Sequence, residues 1–256
     1  MADLLIPGVW WLHGTRGSNV YLVEADDGSR ALVDTGFPGS ASAILREAAA
    51  LGVEPSAILL THKHRDHAGS AGELRERTSA RLVMGRGDCA ESGGRLVLRS
   101  SVGRSHVARF LYAGARHAPV VEVPVDTAID RECEVLPGIR AVPAPGHTDG
   151  SLCFVVDRLG VAFVGDLVIS HGGRLARSMR LANRDDRQYL ETLKQFAQSA
   201  PSAGCPGHGE PLLTGFGDAL RELAALPRSN APANLLRRPL RLWRFAMQMM
   251  RTRRPR

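Results

Sequence analysis

Apolar residues come in short blocks along this chain, and glycine, proline and polar clusters punctuate them. Val9 to His13, Asn19 to Glu24 and Ala31 to Asp34 read as three short strands separated by glycine-containing turns. Ser40 stands where an N-cap is needed for a helix over Ala41 to Leu51, which Gly52 closes. The run Ala57-Ile58-Leu59-Leu60 reads as a buried strand, Ala68 to Thr78 as a helix, and Arg81 to Gly85 as the next strand. Strands alternating with helices predict a layered α/β architecture. Gly87 to Pro119 is the least regular part, with a helical pattern over Gly103 to Ala113. The β pattern returns at Ile129 to Leu136, Ile139 to Pro143, Leu152 to Asp157 and Val161 to Val164. Arg187 to Ser199 reads as a helix with Asp185 and Asp186 as capping residues, and Leu212 to Ala225 as another. No internal repeat of solenoid period is present.

At 256 residues the chain is long enough for one large domain or one domain with an appendage. Its 44% hydrophobic and 23% charged content is that of an ordinary globular protein. No apolar run approaches the ~18 residues of a spanning helix. The N-terminus lacks a basic region followed by a long apolar run, so no signal peptide is expected. The cysteines, Cys89, Cys133, Cys153 and Cys205, are scattered with no C-x-x-C spacing. That argues against a cysteine-based zinc site and suits a reducing cytoplasm, the expected location.

Charge divides the chain unevenly. The net charge is +7, yet residues 228–256 hold nine arginines and no acid, which leaves −2 for the rest. The expected division is therefore a main domain over 1–227 and a basic tail over 228–256. Pro239 can open a helix, and Leu240 to Arg251 separates into two faces. Leu240, Leu242, Trp243, Ala246, Met247, Met249 and Met250 share one; Arg241, Arg244, Gln248 and Arg251 share the other. Such a helix either packs back on the domain or lies on an anionic membrane surface. Few aromatic residues interleave its arginines, so nucleic acid is not the expected partner. A second basic stretch lies between Ser92 and Val121, where Arg95, Arg99, Arg104, Arg109 and Arg116 occur without an acid. It reads as a solvated connection, or as a lid whose arginines meet an anionic substrate.

The chemistry concentrates in Thr61-His62-Lys63-His64-Arg65-Asp66-His67, which sets three histidines and one aspartate within six positions after an apolar strand. An extended strand end would point His62 and His64 the same way. Asp66 and His67, where the chain turns into a helix, would face a second nearby point. Neutral imidazole and carboxylate are ligands that zinc, iron and manganese accept. His147, Asp166 and His208 occupy glycine-bearing loops after apolar strands, where the backbone can turn sharply. Of the other histidines, His13, His106, His117 and His171, only His171 stands near enough to Asp166 in sequence to be tested as a substrate contact. Cys205 reads as structural.

Taken in order, Asp34, His62-x-His64-x-Asp66-His67, His147, Asp166 and His208 resemble the metallo-β-lactamase-fold superfamily, specifically its hydrolases with a bridging aspartate. The resemblance covers about Val9 to Ala225. It implies a four-layer αββα sandwich with a centre for two divalent metal ions at one edge, zinc foremost, with iron and manganese accepting the same set. It assigns His62, His64 and His147 to one metal, Asp66, His67 and His208 to the other, and Asp166 to both. Asp34 would orient ligands from behind. A bridging hydroxide would cleave an acyl bond, with Asp66 relaying a proton. True metallo-β-lactamases carry cysteine or serine at the place of Asp166, so the aspartate looks like glyoxalase II-type thioesterases and lactonases. Acyl-homoserine lactonases of this fold carry a tyrosine shortly afterwards, and Asp166-Leu-Val-Ile-Ser-His has none. The expected substrate is a small-molecule thioester, ester or lactone. A phosphodiesterase or nuclease, and a mononuclear-iron persulfide dioxygenase, are the alternatives within the same superfamily. The sequence names no oligomeric state.

Overall fold

The computed structural model of the chain describes residues 1–99 and 122–228. The helix expected over Gly103 to Ala113, His106, His117, three of the five arginines between Ser92 and Val121, and the tail beyond Arg228 lie outside the described residues.

Two large sheets carry the fold. The first contains β1 (Asp3–Ile6), β2 (Val9–Leu12), β3 (Val20–Glu24), β4 (Arg30–Val33), β5 (Ala57–Leu59), β6 (Arg81–Gly85) and β10 (Thr127–Ile129), in that spatial order. Pairing is antiparallel from β1 to β4 and parallel from β4 through β5 and β6 to β10. The second contains β11 (Cys133–Leu136), β12 (Ile139–Pro143), β13 (Leu152–Val156), β14 (Val161–Gly165) and β17 (Ala203–Pro206). It is antiparallel up to β14, and β17 joins β14 in parallel.

The strands are apolar on both faces because both faces are covered. In β3, Tyr21 and Val23 join the core between the sheets, while Val20 and Leu22 face the other way. In β14, Val161 and Phe163 meet that same central core, while Ala162 and Val164 face outward. Helices cover the outer faces. Ile44 of α1 (Ala41–Ala50) and Leu74 of α3 (Ala71–Arg77) pack on the first sheet. Tyr189, Leu193 and Phe196 of α4 (Asp186–Gln198) and Leu220 of α5 (Phe216–Ala225) pack on the second. The result is the expected helix–sheet–sheet–helix sandwich. No helix among the described residues is long and apolar enough to cross a membrane. All four cysteines are free, and Cys205 lies buried in the central core.

Several expected elements take a different form. The single strand expected over Ile129 to Leu136 is two strands in different sheets, β10 and β11. Exposed Asp130, Arg131 and Glu132 separate them, and the chain crosses from one sheet to the other there. The helix expected over Ala68 to Thr78 is α3, preceded by a one-turn helix, α2 (Arg65–Ala68), which already contains Asp66 and His67. Ser40 occupies the N-cap position of α1, but its side chain makes no capping bond. Asp185 does cap α4, accepting from the backbone of Arg187 and Gln188. The irregular stretch after Gly87 contains the hairpin β7 (Cys89–Ser92) and β8 (Arg95–Arg99), which pairs with β9 (Glu122–Pro124). A second hairpin, β15 (Val168–His171) and β16 (Arg174–Arg177), turns at Gly172-Gly173. The helix expected over Leu212 to Ala225 begins at Phe216, because Leu212 pairs with Gly204 and Gly215 takes a left-handed φ of 69°.

Candidate metal centre

The C-terminal ends of β4, β5, β12, β14 and β17 lie at one edge of the sandwich, since β12 and β17 both run parallel to β14. Each end hands over to a loop or short helix carrying one or more of the residues singled out in the sequence. Asp34 follows β4, His62 to His67 follow β5, His147 follows β12, Asp166 follows β14 and His208 follows β17. Positions from 34 to 208 thereby meet at one edge.

The side chains form two groups. Nε2 of His62 and Nε2 of His147 each lie 3.0 Å from Nδ1 of His64. Nε2 of His67 lies 3.2 Å from Nε2 of His208, and Oδ2 of Asp66 lies 3.3 Å from that same His208 nitrogen. Asp166 stands between the groups. Its Oδ1 is 3.4 Å from Nε2 of both His67 and His208, and its Oδ2 is 3.4 Å from Nε2 of His147. One carboxylate thus turns one oxygen to each group. The same residues emerge as clusters with metal-ligand spacing: His62, His64 and His147; Asp66, His67 and His208; and His62, His67 and Asp166.

The donor set fits a cation. Oδ1 of Asp166 is buried and has no hydrogen-bond partner, a costly state for a carboxylate oxygen unless a positive charge faces it. Three ring nitrogens crowd together around His64, more lone pairs than the shared protons can satisfy. Gly207 leaves the neighbouring space open, since a Cβ there would lie 2.5 Å from Cε1 of His67 and 3.0 Å from Oδ1 of Asp166. His62, His64, His147, Asp66, His67, His208 and Asp166 would hold the metal. Every one except Asp166 and His64 falls in the buried class.

Burial and neighbouring charges shift these groups in different directions. Burial, with His67, His64 and His147 nearby, holds His62 well below the ordinary imidazole range. Burial brings His64 down to about 3, with His147 adding to the effect. Burial pushes His67 down too, but Asp34, Asp166 and Asp66 outweigh it and hold this imidazole well above the ordinary range. Burial raises the Asp66 carboxyl, and His67 and His208 more than reverse that, to about 2. Asp166 is likewise held well below the carboxylate range, as His208 and His67 overcome its burial. The site therefore presents the ionised carboxylates of Asp66 and Asp166 beside the neutral rings of His62 and His64.

Supporting groups orient the rings. Asp34 Oδ2 lies 2.7 Å from Nδ1 of His67, and the carboxylate also accepts from Thr61 N at 2.8 Å and Thr61 Oγ1 at 2.8 Å. Asp34 is also the turn residue, with a φ of 61°, a region aspartate and asparagine visit more readily than most side chains. Other supports carried no signal in the sequence. Buried Asp88 accepts from Lys63 N at 3.0 Å, Thr148 Oγ1 at 2.6 Å and Gly150 N at 3.1 Å, tying the His62–His64 loop to the His147 loop. Asn19 donates to the carbonyls of Pro206 and Gly209 on either side of His208. Nδ1 of His147 meets Asn183 Oδ1 at 3.0 Å and Ser178 Oγ at 3.2 Å. A polar residue distant in sequence from the motif offers no periodicity or spacing by which to find it. Among the remaining described histidines, His13 pairs with Asp3 just past the C-terminal end of β2, and His171 is exposed at a hairpin tip.

An αββα sandwich with a histidine–aspartate centre at one edge defines a metalloprotein class. A family model described as the metallo-beta-lactamase superfamily matches residues 13–208, and the chain belongs to that superfamily, whose members are mostly metal-dependent hydrolases. Among curated relatives, YobT of Bacillus subtilis is 28% identical over 202 residues, covering 75% of this chain and 83% of the relative. Thioesterase pkgB of Emericella nidulans is 27% identical over 209 residues, covering 81% of this chain and 49% of pkgB, so the chain spans about half of that protein. Among solved structures, the mono-zinc form of metallo-beta-lactamase FIM-1 from Pseudomonas aeruginosa has a TM-score of 0.61 at 20% identity, covering 88% of this chain and 94% of FIM-1. TTHA1623, in a di-iron-bound form, has a TM-score of 0.56 at 23% identity, covering 83% of this chain and 94% of its own. These structures share the fold.

Proposed function

We propose that this protein is a dinuclear metal-dependent hydrolase of an acyl bond, a thioester foremost and an ester or lactone next. The observation that carries the reading is Asp166, which turns one oxygen toward His147 and the other toward His67 and His208. A single carboxylate placed between two ligand groups offsets the repulsion of two cations held ~3.5–4 Å apart. Thioesterase pkgB supports the acyl class by its name. Neighbours of the same fold hold zinc in one case and two irons in another; zinc is the metal proposed here, from the nitrogen and oxygen donor set.

When bound, such a metal pair supplies a water acidified toward neutral pH and an electrophile for the acyl oxygen. The chain's own residues do the rest. Asp66, beside His67 and His208, would accept the proton that the attacking water loses and pass it to the leaving group. Asp34 and Thr61 keep the His67 ring from rotating. Asp88 keeps the His62–His64 and His147 loops in register.

The deciding experiment is metal stoichiometry on purified protein together with turnover of thioester, lactone, β-lactam and phosphodiester substrates. Two metals per chain and thioester or ester cleavage that chelation abolishes is the expected result. Asp166→Ala should lower metal content and turnover together. Phosphodiester cleavage exceeding acyl cleavage by orders of magnitude overturns the acyl reading. One iron per chain with oxygen consumption overturns the hydrolase itself.

A further inference from the structure

His147 is oriented by a chain of polar groups that leads away from the centre to the start of the basic tail. Asn183 Nδ2 donates to Asp186 Oδ1 at 2.7 Å. An ionised carboxylate only accepts, so this bond fixes the amide with its nitrogen toward Asp186 and its oxygen toward His147. That oxygen only accepts, so Nδ1 of His147 must carry the ring proton, and Nε2 keeps its lone pair. Nε2 is the nitrogen facing His64 and Asp166.

Asp186 is in turn held by Arg228, whose Nη2 lies 2.5 Å from the same Oδ1. The Arg228 side chain is only 17% exposed. Its guanidinium stands over the Tyr189 ring at 5.6 Å and also donates to Ser178 O at 3.3 Å. The Tyr189 hydroxyl is pinned as well, donating to Leu167 O and accepting from Ser178 N. Arg180 also approaches Asp186, at 3.7 Å, but its side chain is 68% exposed. The family match ends at residue 208, before Arg228.

We propose that Arg228 is a positioning residue for the metal centre, acting through Asp186 and Asn183 to fix the tautomer and orientation of His147. This rests on the metal reading above. Outer-sphere partners of ligand histidines typically change metal affinity by ~10–100-fold. Arg228 orients Asp186, Asp186 orients the Asn183 amide, and the amide sets which ring nitrogen faces the metal. The first of the tail's nine arginines is therefore part of the centre's support.

The test uses the full-length chain and its variants Arg228→Ala, Arg228→Lys, Asn183→Ala and the Arg228→Ala/Asn183→Ala double variant. Each metal-free protein is titrated with cobalt(II), read by its visible absorption and by competition with a chromophoric chelator. Melting of the metal-free proteins is recorded alongside. Arg228→Ala and Asn183→Ala should each weaken one of the two cobalt equivalents about tenfold or more. The double variant should be no worse than either single one, because both lie on one path. Arg228→Lys should recover part of the loss. Cobalt affinities unchanged in Arg228→Ala overturn the proposal, as do fully additive losses. So does a loss that merely follows a lowered melting temperature, with lysine no better than alanine. Absence of cobalt uptake by the unaltered protein overturns the metal reading itself, a result distinct from normal uptake that the variants leave unchanged.

Discussion

The carboxylate of Asp34 lies 2.7 Å from Nδ1 of His67, and both side chains are buried, at 2% and 0% exposure. The same carboxylate holds Thr61 N and Thr61 Oγ1. Asp34→Ala leaves these donors without an acceptor in a site closed to water, and it places alanine at a φ of 61°. The expected loss is roughly 1–3 kcal/mol of stability in the metal-free protein, read by chemical denaturation. Asp34→Asn keeps an acceptor and a side chain that tolerates the turn, so it should lose less. Equal losses for the two variants would assign the effect to the lost negative charge beside His67 and not to the acceptor or the turn.

Gly207→Ala tests the space beside the ligands. Gly207 is not among the glycines with positive φ, so an alanine there meets no backbone strain. Its methyl would press on the His67 ring at 2.5 Å and on Asp166 at 3.0 Å. His67 cannot retreat, because Asp34 holds its other nitrogen. Metal affinity should fall tenfold or more, with a stability cost of about 1–3 kcal/mol. Chelator competition measures the first and thermal melting the second. Unaltered affinity would mean that the ligands have more room than the packing shows.

Acid should destabilise the metal-free protein earlier than its carboxylates alone would dictate. His62 and His64 are held below the ordinary imidazole value of 6.5, His64 at about 3. Below pH ~6.5 the unfolded chain takes up protons that these folded-state rings refuse, so stability falls progressively between pH ~6.5 and ~3. His67 has the opposite sign: its raised value stabilises fully below pH ~6.5, and that contribution is lost as pH rises through the folded value. Asp66, lowered to about 2, contributes above pH ~4, and that contribution is lost toward pH ~2. Denaturation of the chelated protein at several pH values checks this. A flat profile from pH 6.5 to 4 would contradict it.

The basic tail gives a separate test. We propose that the amphipathic stretch from Leu240 to Arg251 attaches to anionic membrane surfaces, with each basic residue near the surface contributing ~1 kcal/mol. The chain should be ended after Arg228 for this purpose, because Arg228 is bonded to Asp186 in the domain. The intact protein should sediment with phosphatidylserine vesicles at low salt, and the shortened one should not. Failure of the intact protein to bind at low salt ends the membrane reading.

Much of the sandwich is legible in the chain because its strands are apolar on both faces, as at Leu152 to Val156. The ligand motif is legible because histidine and aspartate crowd into six positions after a buried strand. Ile129 to Leu136 misled because apolar content does not say which sheet a strand joins; the three exposed charged residues at 130–132 were the available signal. The hairpins at Cys89–Arg99 and Val168–Arg177 are short, with charged and small residues that dilute a period of two. Asp88, Asn183 and Asn19 were invisible for another reason. Their roles depend on which backbone or ring they face, and that is set by the tertiary arrangement.

The crossing at Asp130 to Glu132 divides the chain into an earlier part that builds the first sheet and a later part that builds the second. His62, His64, Asp66 and His67 belong to the earlier part; His147, Asp166 and His208 belong to the later one. Neither part owns a complete coordination sphere. A cation bound here works as a rivet through the seam between the sheets, at the rim where the strands end. Chelation should therefore do more than stop turnover. It should let that rim breathe, with faster amide exchange at the ends of β5 and β14, while the opposite rim stays as tight as before.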